Sequence, residues 1–306
     1  MITRLFSIVL IIFFIFALSR ALIRALPGDP LDTVIAESGI NIPNNVLAEE
    51  LGLNQNFLSS LKQDVISFIK GNFGKSLFSR LPIKDLIFER FQNTLFLTLL
   101  ALVFSVSISL VFGVISSKSH TQSKIEKYFY PICSVYGAWT AAMPMVWIGP
   151  MFLYLFAVLI PVFKTSDSVI LPSLTLAIVF SGFWSRLIRA RIGDELKLAS
   201  ALAARARGIP EWKIKLKYAL MPASGALIAY FGTQMGSLLA GTFITEIIFN
   251  WPGLGSLLVE SILKRDYPVV QAAIFLGATV SLLGTAFGDF VASRIYIRKG
   301  DNKDFQ

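Results

Sequence analysis

Two uncharged runs constrain this chain more than anything else in it. Residues 91–117 form 27 consecutive positions without a charge, and residues 128–163 form 36. A hydrocarbon core about 30 Å thick needs about 20 apolar residues of helix to cross it. In lipid, the backbone groups of such a run must be satisfied within the segment, which makes it helical. Composition agrees, because 55% of the 306 residues are hydrophobic and 15% are charged, where soluble domains carry about 25% charged residues. The chain therefore reads as an all-α, polytopic integral membrane protein. Its formal net charge of +9 comes largely from loops, which points to topology and membrane lipid rather than to nucleic acid. Cys133 is the single cysteine and cannot form an internal disulfide. No group of His, Cys or carboxylates has metal-ligand spacing.

Charge then orients the spans. Residues 1–26 are read as the first transmembrane helix. Its uncharged part, 5–19, covers 15 residues, about 22 Å of helix, and extension to residue 25 completes the span if Arg20 and Arg24 snorkel outward. A cleaved signal peptide is the rival reading, but Arg20 interrupts the place for a cleavage site. Residues 27–90 hold six basic and eight acidic residues and are placed outside the cytoplasm. Residues 91–298 are read as a five-helix core. Its spans are 91–117, then 128–163 as one long span kinked at Pro144, then 169–191, 218–245 and 268–288. Residues 299–306 form a cytoplasmic tail. His120 lies in the basic 118–127 connection and is assigned no role. Six helices leave both termini in the cytoplasm.

The connection 194–217 between the fourth and fifth spans is built rather than slack. Between residues 186 and 217 nine Lys/Arg face three acids, and short connectors this basic stay inside. Residues 198–206 have strong helix propensity, Gly208 is placed for a left-handed cap, and Pro210 can open a second helix. Such a helix, glycine turn and helix needs a partner. The rival reading is a basic loop resting on lipid head groups.

The sequence Ala203-Ala204-Arg205-Ala206-Arg207-Gly208-Ile209, with Tyr218-Ala219-Leu220 beyond it, resembles the Glu-Ala-Ala loop of ABC-importer permeases. Leu202 stands where the wider family often has the Glu, and Pro222 falls one residue later than the usual Leu-Pro ending. Three further groups follow in the order seen in dipeptide, oligopeptide and nickel permeases: Leu26-Pro27-Gly28-Asp29-Pro30, Leu51-Gly52-Leu53-Asn54 and Gly71-Asn72-Phe73-Gly74-Lys75-Ser76. Trp251-Pro252-Gly253-Leu254-Gly255 and Lys264-Arg265-Asp266-Tyr267-Pro268 are the most family-specific words. The resemblance implies the type I importer fold, a homologous second permease subunit, two ATP-binding subunits that hold ATP and Mg, and a substrate-binding protein outside. It gives Ala203 to Ile209 the role of the ATPase-coupling loop. ATP closure would move this loop and tilt the fourth and fifth helices. It also places the 246–267 loop, with Trp251, Pro252, Gly253, Leu254, Gly255, Arg265, Asp266 and Tyr267, at the outer mouth.

Two residues are pore candidates on their own chemistry. Gln234 is polar at membrane depth, and Ser237 shares its helix; a hydrogen bond between packed helices is the alternative. Gly232-x-x-x-Gly236 and Gly284-x-x-x-Gly288 are spaced for close helix approach. Asp289, with Arg294 nearby, reads as a local ion pair at the head groups.

Rival activities fit the residues less well, with a proton-coupled secondary carrier kept as the distant alternative. Gly74-Lys75-Ser76 suggests a phosphate loop, but Ile69 stands where that motif needs Gly, so the chain holds no ATPase site, catalytic residue, cofactor or metal of its own. A membrane hydrolase needs paired catalytic groups at depth, and a proton-coupled carrier needs buried carboxylates and internal repeats. Neither pattern is apparent. Peptides are the expected cargo. Nickel or another small solute is the alternative, although nickel favours His or soft ligands and the spans offer Met143, Met145, Met151 and Met235 without a His.

Overall fold

A computed structural model of the chain describes residues 70–117, 124–160 and 168–300, together with Phe13, Phe14, Ala17, Ala21, Lys62 and residues 66–68. Nearly all of the expected first span and of 27–69, together with His120 and the tail from 301, lie outside the described residues. Helix α1 is Ile83–Ser116, α2 is Lys124–Ala142, and α3 is Met145–Leu153, continued by a π-helical Tyr154–Leu159. Helix α4 is Ile170–Glu195 and α5 is Ala199–Ala206. Helix α6, Glu211–Lys213, runs through a π-helical Ile214–Leu220 into α7, Met221–Thr233. Helices α8, Met235–Ile248, α9, Leu254–Leu263, and α10, Tyr267–Gly300, complete the order. Among the described residues there is no strand, only one isolated bridge between Lys75 and Pro82.

Hydropathy placed the start of the second span at Phe91, but α1 begins at Ile83. The residues in between, including Lys84, Asp85, Glu89 and Arg90, are mostly competent helix formers, and Asp85 sits in the first turn, where a negative charge suits the helix dipole. A helix can therefore carry them beyond the apolar run. The single kinked span expected for 128–163 is two limbs, Lys127–Thr140 and Met145–Leu159, at 108°. Pro144 does mark the break: it is extended at φ −61° and ψ 141° and caps α3. Proline has no N–H to give the preceding turn and pushes the residue before it out of the helical region. The fifth span is likewise bent, by 48° between Glu211–Thr233 and Met235–Ile248. Three helices are long and apolar enough to cross a bilayer, and up to five spans result if each bent pair is one, among the described residues.

The chain divides into two compact units, one of residues up to Thr94 with Pro252–Leu282, the other of Leu95–Trp251 with Leu283–Gln306. In the second unit α4 is central. Leu176, Trp184, Ile188 and Ile192 on it are wholly buried, a spacing that follows one helical face. Trp184 packs against Phe180 and Phe231, with ring centroids 5.7 and 4.7 Å away. The Tyr136 hydroxyl of α2 bonds the Ile178 carbonyl of α4 at 3.0 Å. One glycine of each pair singled out in the sequence meets the other: a Cβ at Gly288 would run into the Gly232 backbone, while one at Gly284 would lie 3.2 Å from Met235 Cβ. α7 and α10 therefore cross backbone to backbone.

Candidate functional site

The 194–217 element folds as its sequence dictates. α5 ends at Ala206 with Arg207 as its C-cap, and Gly208 takes φ +75°. The Gly208 N–H bonds the Arg205 carbonyl at 2.8 Å and the Ile209 N–H bonds the Ala204 carbonyl at 3.2 Å. That pair of reversed bonds satisfies carbonyls which the helix end leaves open. Pro210, extended at φ −65° and ψ 143°, then caps the next helix. Arg205 closes the turn, its Nε donating to Glu211 at 2.8 Å and its Nη1 to the Leu196 carbonyl at 3.1 Å. Both partners of that ion pair are about four-fifths buried, so the geometry is held more firmly than at a surface pair.

Beneath this frame Ile188, Ile192, Leu196, Ala201, Ala204, Ile214, Ala219, Ala223 and Leu227 form one apolar cluster, with Ile209, Leu110 and Val114 packed on it. Of the seven residues assigned to coupling, Ala204 is therefore internal, and Arg205 and Ile209 are partly covered. Ala203, Ala206, Arg207 and Gly208 are exposed. Alongside them Leu198, Leu202, Trp212 and Leu216 leave 51, 51, 61 and 44% of their surface uncovered, and Lys213 and Lys217 flank them. Sequence reasoning passed over Leu198 and Trp212, although an apolar residue beside a basic run was the available signal. It also took Lys215 as one more surface charge, whereas Lys215 is 3% exposed.

Gln234 sits at the break between α7 and α8. Its N–H reaches the Tyr230 and Phe231 carbonyls, both at 3.2 Å, and its own carbonyl accepts from Leu238. The Gln234 side chain is half-buried and has no hydrogen-bond partner among the described residues. Ser237, one turn further, is exposed. The structure thus brings both pore candidates to one bend.

The residues expected at the outer mouth divide between the units. In the second, Trp251 N–H bonds the Glu246 carbonyl at 2.8 Å. In the first, the Pro-Gly-Leu-Gly turn is fastened to α1 about three turns from its start. Asn93 donates to the Pro252 carbonyl at 2.8 Å, and Thr94 Oγ1 accepts from the Leu254 N–H at 2.7 Å. Arg90 reaches Ser256 at 3.4 Å and Glu260 at 3.7 Å. Arg265, at φ +55°, turns the chain so that the buried Asp266 carboxylate accepts from Ser76 Oγ and from the Leu77 N–H. Leu254 and Gly255 are buried, as is Tyr267, while Pro252 and Arg265 are more open. Ser76 is thereby the anchor of a tight turn rather than part of a phosphate cradle. No sequence spacing pairs residues that lie 190 positions apart, so Ser76, Arg90, Asn93 and Thr94 were not legible as partners.

Long apolar helices, two broken ones with proline or a polar residue at the bend, and a folded basic element between spans define a multi-pass membrane transport subunit. The chain belongs to the family of binding-protein-dependent transport system inner membrane components, which matches residues 109–298. It is similar to the glutathione transport system permease protein GsiC of Escherichia coli (strain K12), with 32% identity over 90% of both chains. The same protein of Shigella flexneri serotype 5b (strain 8401) is also 32% identical over 90% of each. In structure it resembles an amino acid ABC transporter crystallised with histidines, at a TM-score of 0.54 and 19% identity, over 69% of this chain and 94% of that one. The chain is thus an ABC-importer permease of the branch its motifs indicated. It is an inner-membrane subunit of an importer whose ATPase is a separate chain, and it works with ATPase and binding-protein partners.

Proposed function

We propose that this permease forms half of a translocation pore for short peptides, beside a homologous second permease, above two ATPase subunits that hold ATP and Mg, and beneath a substrate-binding protein. The observation that carries the reading is the 194–217 element: a rigid frame whose outer face exposes Leu198, Ala203, Leu202 and Trp212 among Arg207, Lys213 and Lys217. An apolar ridge with a cationic rim on a folded connector suits a groove in a soluble partner. It suits lipid head groups less well, because the ridge is not a continuous basic patch. ATP-driven closure of the partner moves this frame as one body and tilts α4 and α7, which leave it. The path past the Gln234 bend then opens alternately to the two sides, and Gln234 and Ser237 offer it polar groups. Differential affinity of the partners for the two states drives the cycle.

Topology follows the same reading. Up to five spans among the described residues, with the one expected at 5–25, make six and leave both ends in the cytoplasm. Lys215 touches the end of α1, which supports placing the 118–127 and 194–217 connections on one face. Asp266 and Ser76 join the 264–268 and 70–82 stretches, which supports a shared outer face for those two. The 246–267 loop then lies at the mouth where the binding protein docks. Peptide cargo is supported by the glutathione named for the relatives, itself a tripeptide derivative.

Right-side-out vesicles or proteoliposomes holding the assembled importer, with ATP sealed inside and the binding protein outside, test the proposal. Uptake of a tripeptide or glutathione is expected to need ATP, the ATPase subunits and the binding protein together. Uptake driven by a proton gradient alone overturns it. Mass spectrometry of the ligand carried by the purified binding protein is expected to return a peptide, and a bound nickel ion instead would reassign the cargo.

A further inference from the structure

The coupling element is fastened to three spans rather than two, and the third fastening is made by Lys215. Two of the connections are covalent, since the element continues from α4 and into α7. The third is not. Lys215 lies on the inner side of the π-helical stretch Ile214–Leu220, with 3% of its surface exposed. Its ammonium donates to the Ser117 carbonyl at 2.6 Å and to the Val114 carbonyl at 3.4 Å. Those two carbonyls close the C-terminal turn of α1, where Ser117 Oγ also donates to Val114. The last carbonyls of a helix lack the N–H donors that its interior supplies four residues on, and they carry its negative end. A buried cation aimed at them is held by charge as well as by hydrogen bonds. Around this point α1 is packed as tightly as it can be: Leu110 and Val114 lie on the cluster beneath the element, and a Cβ at Gly113 would fall 2.6 Å from Ile188.

We infer that Lys215 is a positioning residue that ties the inner end of α1 to the coupling element, so that a stroke delivered to the element moves α1 along with α4 and α7. The inference rests on the proposed docking of the ATPase on 194–217. The wide turn of a π-helix adds a reason for the residue to be there. It rotates the side chains that follow relative to an α-helix, and such insertions concentrate at functional sites. Here it accompanies the inward aim of the one lysine of this stretch that is buried, while Lys213 and Lys217 face out.

The test is a distance measurement in the assembled importer. Spin labels replace Val111, which is 55% exposed on α1, and Lys197, whose side chain is 79% exposed on the same element outside the docking ridge and its rim. The distance between them is expected to stay the same in the nucleotide-free and the vanadate-trapped states, because the two elements move as one. K215M keeps the length of the stem without the charge. It is expected to broaden this distance and to make it differ between the two states. Binding-protein stimulation of ATP hydrolysis is expected to fall at least about threefold in K215M, and K215R is expected to restore both readings. A residue that only stabilised the fold would not make the distance depend on nucleotide. A distance that changes between states in the unsubstituted protein, or one in K215M as narrow and constant as before, overturns the inference, and the first of these needs no substitution at Lys215. If the ATPase fails to co-purify with the unsubstituted permease, the docking reading fails instead. The hold of Lys215 on α1 is then still read from the width of the same distance in the chain alone.

Discussion

Gly208 decides the shape of the coupling turn because it alone reverses the chain there. Its φ of +75° with nothing within 4 Å of a would-be Cβ means that a side chain would strain the backbone without meeting a neighbour. The left-handed conformation costs an L-residue about 1–2 kcal/mol, and a β-branched one more. Gly208→Val is expected to insert normally and bind the binding protein, yet to lose ATP-dependent uptake, measured in vesicles. Unchanged uptake would remove the coupling role. Gly288 is limited by space instead. A side chain there meets the Gly232 and Thr233 backbone, so Gly288→Leu is expected to cost at least about 1–3 kcal/mol, visible as a lower Tm in detergent. Both glycines were legible in the sequence, one by its place after an Ala-rich run and the other by its four-residue spacing. Lys215 and Asp266 were not, since their work depends on carbonyls and hydroxyls far away in the chain.

At the scale of elements, the surface proposed for coupling and the turns at 76–81 and 252–268 make opposite demands. Leu202 faces solvent, so Leu202→Asp is expected to change stability by no more than about 0.5 kcal/mol while abolishing co-purification of the ATPase subunit. In the turns the contacts are internal. Asp266→Asn removes the charge from the acceptor of Ser76 and Leu77, and hydrogen bonds to charged groups contribute about 1.5–3 kcal/mol. Hydrogen exchange at the Leu77 amide is expected to accelerate by about tenfold or more, and an unchanged rate would show that the turn at 76–81 holds without it. The helix between the fourth and fifth spans was readable because propensity, cap and proline all agreed. The two bends were only half readable. Pro144 announced its break but not the 108° angle, which tertiary packing sets, and at Gln234 no proline or glycine occupies the break itself.

For the whole molecule, composition and charge gave the class, and ordered motifs gave the family, because both are properties of the chain rather than of its contacts. The orientation in the membrane carries its own prediction. In intact cells a membrane-impermeant maleimide is expected to label Leu263→Cys, whose side chain is 77% exposed on α9, and to miss Lys197→Cys until the membrane is opened. The reverse pattern would invert the topology. One contact bears on how such an assembly can move at all. Where Gly232 meets Gly288 no side chains interlock, so two rods touch at a bare point, as the arms of scissors do at their rivet. A joint of that kind gives little resistance to a change of crossing angle while it opposes separation, and it offers the fulcrum on which one arm can swing when its far end is pushed.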